Sequence, residues 1–166
     1  MDVLRTVDDP EMPINIVDLG LVENVQIEPV NGEDASPAAV TIDLLPTFVG
    51  CPALDMIRSD VERAVRELPG VQHVHVEFHY DPPWTVDRIT ETGRASLQKH
   101  GVTVPESGSD IKRPMLEFTP LQLSTVACPY CGSSETQLES RFGPTRCRMI
   151  YYCRACKNSF EHMKRV

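Results

Sequence analysis

Between residues 21 and 45 apolar and polar positions alternate, as they do in half-buried strands. Residues 21–28 place Val25 and Ile27 on one face, and residues 40–45 place Val40, Ile42 and Leu44 inward. The polar stretch between them, with Asn31-Gly32 and Ser36-Pro37, predicts an antiparallel hairpin with an enlarged connection. The period then changes. Leu54, Ile57, Val61, Ala64/Val65 and Leu68 recur at the spacing of one buried helix face. Pro52 suits the first helical position, and Pro69-Gly70 ends the run. Residues 71–80 return to alternation with Val74, Val76 and Phe78 toward the core, until Asp81-Pro82-Pro83-Trp84 breaks the strand. Residues 85–100 read as a last helix closed by Gly101. Their few apolar positions (Val86, Ile89, Ala95, Leu97) predict a peripheral helix or a contact surface. A strand–helix–strand unit of this length implies a right-handed crossover and parallel pairing.

The cysteines change the picture downstream. Cys128-Pro-Tyr-Cys131 and Cys153-Arg-Ala-Cys156 are two CxxC pairs separated by 21 residues. A two-residue spacer lets a tight turn aim both thiolates at one point, and two such knuckles complete a tetrahedral Zn²⁺ shell. A pair of disulfides and a rubredoxin-like iron site are the rivals. The expected fold class is therefore α+β: a small mixed three-stranded sheet with packed helices, followed by a C-terminal zinc ribbon. Residues 1–100 form the α/β domain, residues 101–120 (rich in Pro, Gly, Ser and charge) a linker, and residues 121–166 the ribbon.

Composition adds constraints. The 41% hydrophobic and 24% charged content fits a folded globular chain, and no apolar run is long enough to span a membrane. Six cysteines without an export signal favour a reducing cytoplasm and metal ligation over disulfides. The net charge of −8 is uneven: residues 128–166 carry +4, which leaves −12 on residues 1–127. An acidic body argues against binding nucleic acid. Four thiolates on one Zn²⁺ leave −2, and Arg146, Arg148, Arg154 and Lys157 lie close enough in sequence to offset it.

Cys51 sits in Pro46-Thr47-Phe48-Val49-Gly50-Cys51-Pro52-Ala53, where a strand gives way to the first helix. The partial positive charge of a helix N-terminus would lower its pKa, with Asp55 opposing and Thr47 and Asp18 as candidate hydrogen-bond neighbours. The bland reading is a buried cysteine acting as a small hydrophobe. A Cys–His enzyme would need one of His73, His75, His79, His100 or His162, and nothing in their order selects among them. His73, His75, Glu77 and His79 alternate along the third strand and so share a face. Ligands at i and i+2 can share a metal. Val74, Val76 and Phe78 already occupy the core side, however, so a solvated or partner-facing surface is the simpler account. Trp84 reads as a packing or interface anchor, with Met12 and Pro13 as candidates to dock on it.

Asp9-Pro10-Glu11-Met12-Pro13, Ile16-Val17-Asp18-Leu19-Gly20-Leu21-Val22, Pro46-Thr47 with Gly50-Cys51-Pro52-Ala53, and Asp81-Pro82-Pro83-Trp84 together resemble the iron–sulfur-assembly domain of the SufT type over residues 1–100. The tail, with Phe142-Gly143-Pro144-Thr145-Arg146-Cys147 and Tyr152-Cys153-Arg154-Ala155-Cys156, extends the resemblance to the PaaD family over nearly the whole chain. That resemblance implies an accessory component of the bacterial phenylacetyl-CoA epoxidase, a multicomponent di-iron monooxygenase of phenylacetate catabolism. Its oxygenase and reductase subunits would be the partners. The implied role is maturing or inserting iron or iron–sulfur centres, without catalysis by this chain itself. The family's signature cysteine maps onto Cys51, its Asp-Leu-Gly onto Asp18, Leu19 and Gly20, and its zinc ligands onto Cys128, Cys131, Cys153 and Cys156. Cys147 is left over. It is a buried ribbon residue or, with Cys51, a ligand for a transient iron–sulfur cluster that a homodimer could complete. A non-catalytic docking subunit and a thiol enzyme using Cys51 are the other readings.

Overall fold

The computed structural model describes residues 1–30, 37–106 and 126–165. Strands β1 (Val22–Pro29) and β2 (Ala38–Leu44) pair antiparallel, helix α1 (Leu54–Arg66) crosses over, and β3 (Val71–Phe78) returns parallel to β2. The sheet order β1-β2-β3 is the small mixed sheet that the alternation predicts. Val40, Ile42 and Leu44 are buried under Ile57, Val61 and Val65 of α1. Leu68 lies beyond the helix end and is exposed, and the helix begins at Leu54, so Pro52 precedes the first turn.

The segment 85–100 departs from its expected single helix. It splits into a 3₁₀ turn, Val86–Arg88, and helix α2, Glu91–Lys99. Thr90 causes the break: its backbone is extended and its hydroxyl accepts the Gly93 N–H at 3.0 Å, an N-cap in mid-segment. Nor is the segment peripheral, because Val86, Ile89 and Leu97 are fully buried in the main core.

The second sheet has the order β4-β7-β6-β5, with β5 (Thr136–Ser140), β6 (Arg148–Cys153) and β7 (Ser159–Met163) as an antiparallel ribbon. Its outer strand β4 (Val102–Thr103) comes from residues assigned by the sequence to a linker, and pairs parallel with β7. Gly101, at φ +77°, turns the chain off α2 directly into that pairing, and its carbonyl accepts the Glu161 N–H at 2.9 Å. The rest of the expected linker from residue 107, and the start of the ribbon to residue 125, lie outside the described residues. Met163 of β7 is fully buried in the same core as Leu97 and Val102, so ribbon and body share apolar packing. A smaller core of Tyr151, Phe160, Cys128 and Cys153 underlies the knuckles. Among the described residues no helix is long and apolar enough to cross a membrane.

Candidate functional site

The two knuckles are built alike. Gly132 and Lys157, each one residue past a CxxC pair, adopt left-handed backbone at φ +72° and +62°. Their N–H groups donate to the carbonyls of Cys128 and Cys153, both at 2.9 Å. Cys128 and Cys153 in turn donate to Ser133 and Asn158, again at 2.9 Å. The four Sγ atoms lie within 4.8 Å of one another, with 3.6 Å separating Cys128 from Cys156 and Cys131 from Cys153. Zn–S bonds of about 2.3 Å in a tetrahedron place sulfurs roughly 3.8 Å apart, so the donor set fits Zn²⁺. The shell is closed and leaves no ligand position for chemistry. All six cysteines are free thiols.

The loop leading into α1 holds Cys51, half-buried beside the main core. Gly50 at φ +79° turns the chain, and the Ala53 N–H at the helix start donates to the Cys51 sulfur. That contact is the helix-start effect expected from sequence, but it is outweighed. Burial pushes the Cys51 thiol up, and the carboxylates of Glu11 and Asp9 and the Cys147 sulfur push it further the same way. The expectation of a lowered pKa is therefore overturned: the apolar and acidic surroundings disfavour a bare thiolate.

The fold thus brings Cys147 within electrostatic reach of Cys51, although they are far apart in the chain. Cys147 is buried at the tip of the β5–β6 hairpin, where Lys164 N–H donates to its carbonyl at 2.8 Å. The Thr145 hydroxyl lies 3.1 Å from its sulfur. Arg148 Nε–H donates to the same hydroxyl at 2.7 Å, which leaves the hydroxyl hydrogen free for the sulfur. Arg148 also donates to the Glu11 carbonyl at 3.2 Å and forms an ion pair with Glu161 at 2.5 Å. Its charge partly offsets the burial that raises the pKa of Asp9. Arg146 lies over the ring of Phe48, three residues before Cys51, 5.9 Å from its centre. Hairpin tip and Cys51 loop therefore meet as one site. Asp9, Glu11, Thr145 and Arg148 belong to it. The first three stand in the motifs that carry the family resemblance, and the sequence assigns Arg148 to offsetting the zinc thiolates. Their roles here depend on the docking of ribbon on body, which no local pattern shows.

Other candidate residues are occupied elsewhere. The Asp18 carboxylate accepts from Arg5 (2.7 Å), Asn15 (2.7 Å) and Thr90 (2.9 Å). Burial would raise its pKa, but these three hydrogen bonds and the Arg5 charge hold it below the ordinary value. Leu19 is fully buried and its carbonyl accepts the Trp84 indole N–H at 3.0 Å. Gly20, at φ +76°, packs against the Arg88 backbone. Asp-Leu-Gly and Pro-Pro-Trp therefore tie the body together rather than line the thiol site. Thr47 is buried in the loop before Cys51.

The sequence profile of the "PaaD zinc beta ribbon domain" matches residues 113–164, and that of "Iron-sulfur cluster assembly protein" matches residues 1–78. The chain is 33% identical over 163 residues to a component of the "Putative 1,2-phenylacetyl-CoA epoxidase" of Escherichia coli (strain K12), covering 98% of this chain and 88% of that one. The chain belongs to the PaaD family. The body alone is 33% identical over 89 residues to the "Fe-S protein maturation auxiliary factor SufT" of Staphylococcus aureus (strain USA300), 54% of this chain and 93% of that one. A solved structure of a "Domain of Unknown Function DUF59" from Bacillus anthracis aligns with a TM-score of 0.48 at 31% identity, over 58% of this chain and 85% of that one. In this member of the PaaD family, Arg146 and Arg148 at the hairpin tip reach the body, in addition to Met163 of β7.

Proposed function

We propose that this chain is an accessory protein that assists assembly of iron or iron–sulfur centres in a multicomponent phenylacetyl-CoA epoxidase, within a reducing cytoplasm. The observation that supports this reading is the docking of the Cys147 hairpin on the segment of Asp9 and Glu11. There Arg148 donates to the Glu11 carbonyl at 3.2 Å, and the charges of Asp9, Glu11 and Cys147 all act on Cys51. One half-buried and one buried thiol near carboxylates disfavour added negative charge and favour a cation. Thiols must lose their protons to ligate a metal, and an arriving iron cation offsets the like charges that raise the Cys51 pKa. Iron or a cluster is thus cargo, held by Cys51 and Cys147, while Thr145 and Arg148 orient the second sulfur. Two thiolates per chain cap half of a four-thiolate cluster, and a homodimer or a client protein supplies the rest.

The same surroundings weigh against a thiol enzyme, because a thiol held above its ordinary pKa offers little nucleophile at neutral pH. The ribbon's zinc serves structure: it fixes the knuckles and so presents the hairpin that carries Cys147. Exposed Val49, beside Cys51, and exposed Phe142, on the hairpin, give the oxygenase or reductase subunits an apolar contact next to the thiols.

Co-expression of the complex with Cys51→Ala tests this reading. Lower iron content of the partner subunits with the complex intact supports assembly. A complex that falls apart while metal per subunit holds would favour a docking role instead.

A further inference from the structure

The outward face of β3 carries His75, Glu77 and His79, and the structure adds a residue that periodicity along one strand could not show. Parallel pairing sets Asp43 of β2 directly beside Glu77. The ligand atoms of Asp43, Glu77 and His79 all lie within 4.8 Å of one another. His79 Nε2 is 3.1 Å from Asp43 Oδ1 and 3.5 Å from Glu77 Oε2, and His75 Nε2 is 2.7 Å from Glu77 Oε1. With bonds of about 2.0–2.2 Å, donors around one ion sit roughly 3–3.5 Å apart, so His79 already stands at shell distance from both carboxylates, while His75 contacts Glu77 alone.

We propose that Asp43, Glu77 and His79 form a binding site for one divalent first-row transition metal ion, separate from both groups of thiols, with His75 behind Glu77 as its hydrogen-bond partner. One imidazole with two carboxylates, the remaining positions open to water, is a donor set suited to Zn²⁺, Fe²⁺, Mn²⁺ or Co²⁺. The two carboxylates balance the charge of such an ion. The site is partly preorganised: Asn24 on β1 donates to Asp43 Oδ2 at 3.2 Å, which fixes the carboxylate and leaves Oδ1 toward His79. Access is open. The Asp43 side chain is 17% exposed, whereas His75 is 65% and His79 43% exposed, so an ion approaches from solvent onto a sheltered carboxylate. His79 is also held by the sheet, since its N–H donates to the Leu44 carbonyl at 2.8 Å. His73 and His75 share the face but are absent from the cluster, and His73, which has no contact with Glu77 in it, serves as the internal control.

The test uses the full chain with its ribbon loaded with zinc and with Cys51→Ser and Cys147→Ser substitutions, so that thiols do not compete. Zn²⁺ is titrated while the ring nitrogens of all histidines are followed by NMR. The His79 ring shifts and saturates at one added ion, while those of His73 and His100 do not. His79→Ala, or the isosteric Asp43→Asn, weakens binding roughly 10–100-fold. Circular dichroism of each variant shows that the sheet is retained. Absence of a ring shift at millimolar Zn²⁺, equal shifts at every exposed histidine, or unchanged affinity in Asp43→Asn would overturn the site.

Discussion

The guanidinium of Arg148 donates to the carbonyl of Glu11 at 3.2 Å, across 137 positions of the chain. The same side chain holds Thr145 and faces Glu161, so one residue joins ribbon to body and places Cys147 beside Cys51. Arg148→Met keeps the length of the stem and removes the charge. It leaves the Glu161 carboxylate without its cation and frees the hairpin tip. A loss of about 2–4 kcal/mol in urea unfolding is expected. Faster alkylation of Cys147 in the folded protein is the second readout. A variant with unchanged stability and unchanged Cys147 reactivity would remove Arg148 from this role.

His162 gives the junction a pH dependence. It is buried on β7, with Nδ1 2.8 Å from the Thr103 hydroxyl and its ring edge-on to Tyr151. Burial, with Arg165 adding to it, pushes its pKa down from 6.5 to about 4. A depressed histidine favours the neutral form in the folded state. Its contribution is complete above the unfolded value of 6.5 and fades as pH falls toward about 4. That amounts to roughly 3 kcal/mol across the window. Unfolding free energies of the native protein and His162→Gln, measured from pH 7 to 4.5, should therefore converge toward the acid end. Parallel curves would contradict the assignment.

Two glycines at nearly the same backbone angle separate strain from crowding. Gly20 and Gly50 stand at φ +76° and +79°. A Cβ at Gly20 would lie 2.5 Å from the Arg88 carbonyl oxygen, whereas one at Gly50 would meet nothing within 4 Å. Gly50→Ala should cost only the left-handed penalty, about 1–2 kcal/mol. Gly20→Ala must also displace Arg88, whose side chain donates to the Gly20 carbonyl at 2.8 Å. Thermal unfolding should show the larger loss at Gly20.

Much of the body was legible because its signals are local. The period-two run at Val40, Ile42 and Leu44 and the helical run at Ile57, Val61 and Val65 each report their own burial. The knuckles were legible for the same reason, since two residues between cysteines define a turn. The break at Thr90 was missed because a threonine can cap a helix or lie within one, and its second partner, Asp18, is 72 positions away. Asp18 itself stood out as a motif residue, but a motif does not say whether a carboxylate faces a ligand or a set of internal donors. Likewise, the Cys51 pKa depends on Glu11, Asp9 and Cys147, whose approach is set by the docking of two units. Local reading saw the helix terminus and missed the larger effect.

In the proposed assembly role, Cys51 and Cys147 hold iron together. Anaerobic reconstitution of the zinc-loaded chain with ferrous iron and sulfide tests it most directly, with zinc, iron and labile sulfide counted per chain and Mössbauer spectra recorded. Thiolate-ligated iron with labile sulfide is expected in the native chain, with loss of that Mössbauer signal and sulfide in both Cys51→Ala and Cys147→Ala while the ribbon zinc is retained. Iron on the carboxylate–histidine face of β3 carries no sulfide and is unaffected. Colourless protein at every iron loading, or a cluster indifferent to Cys147→Ala, would contradict it.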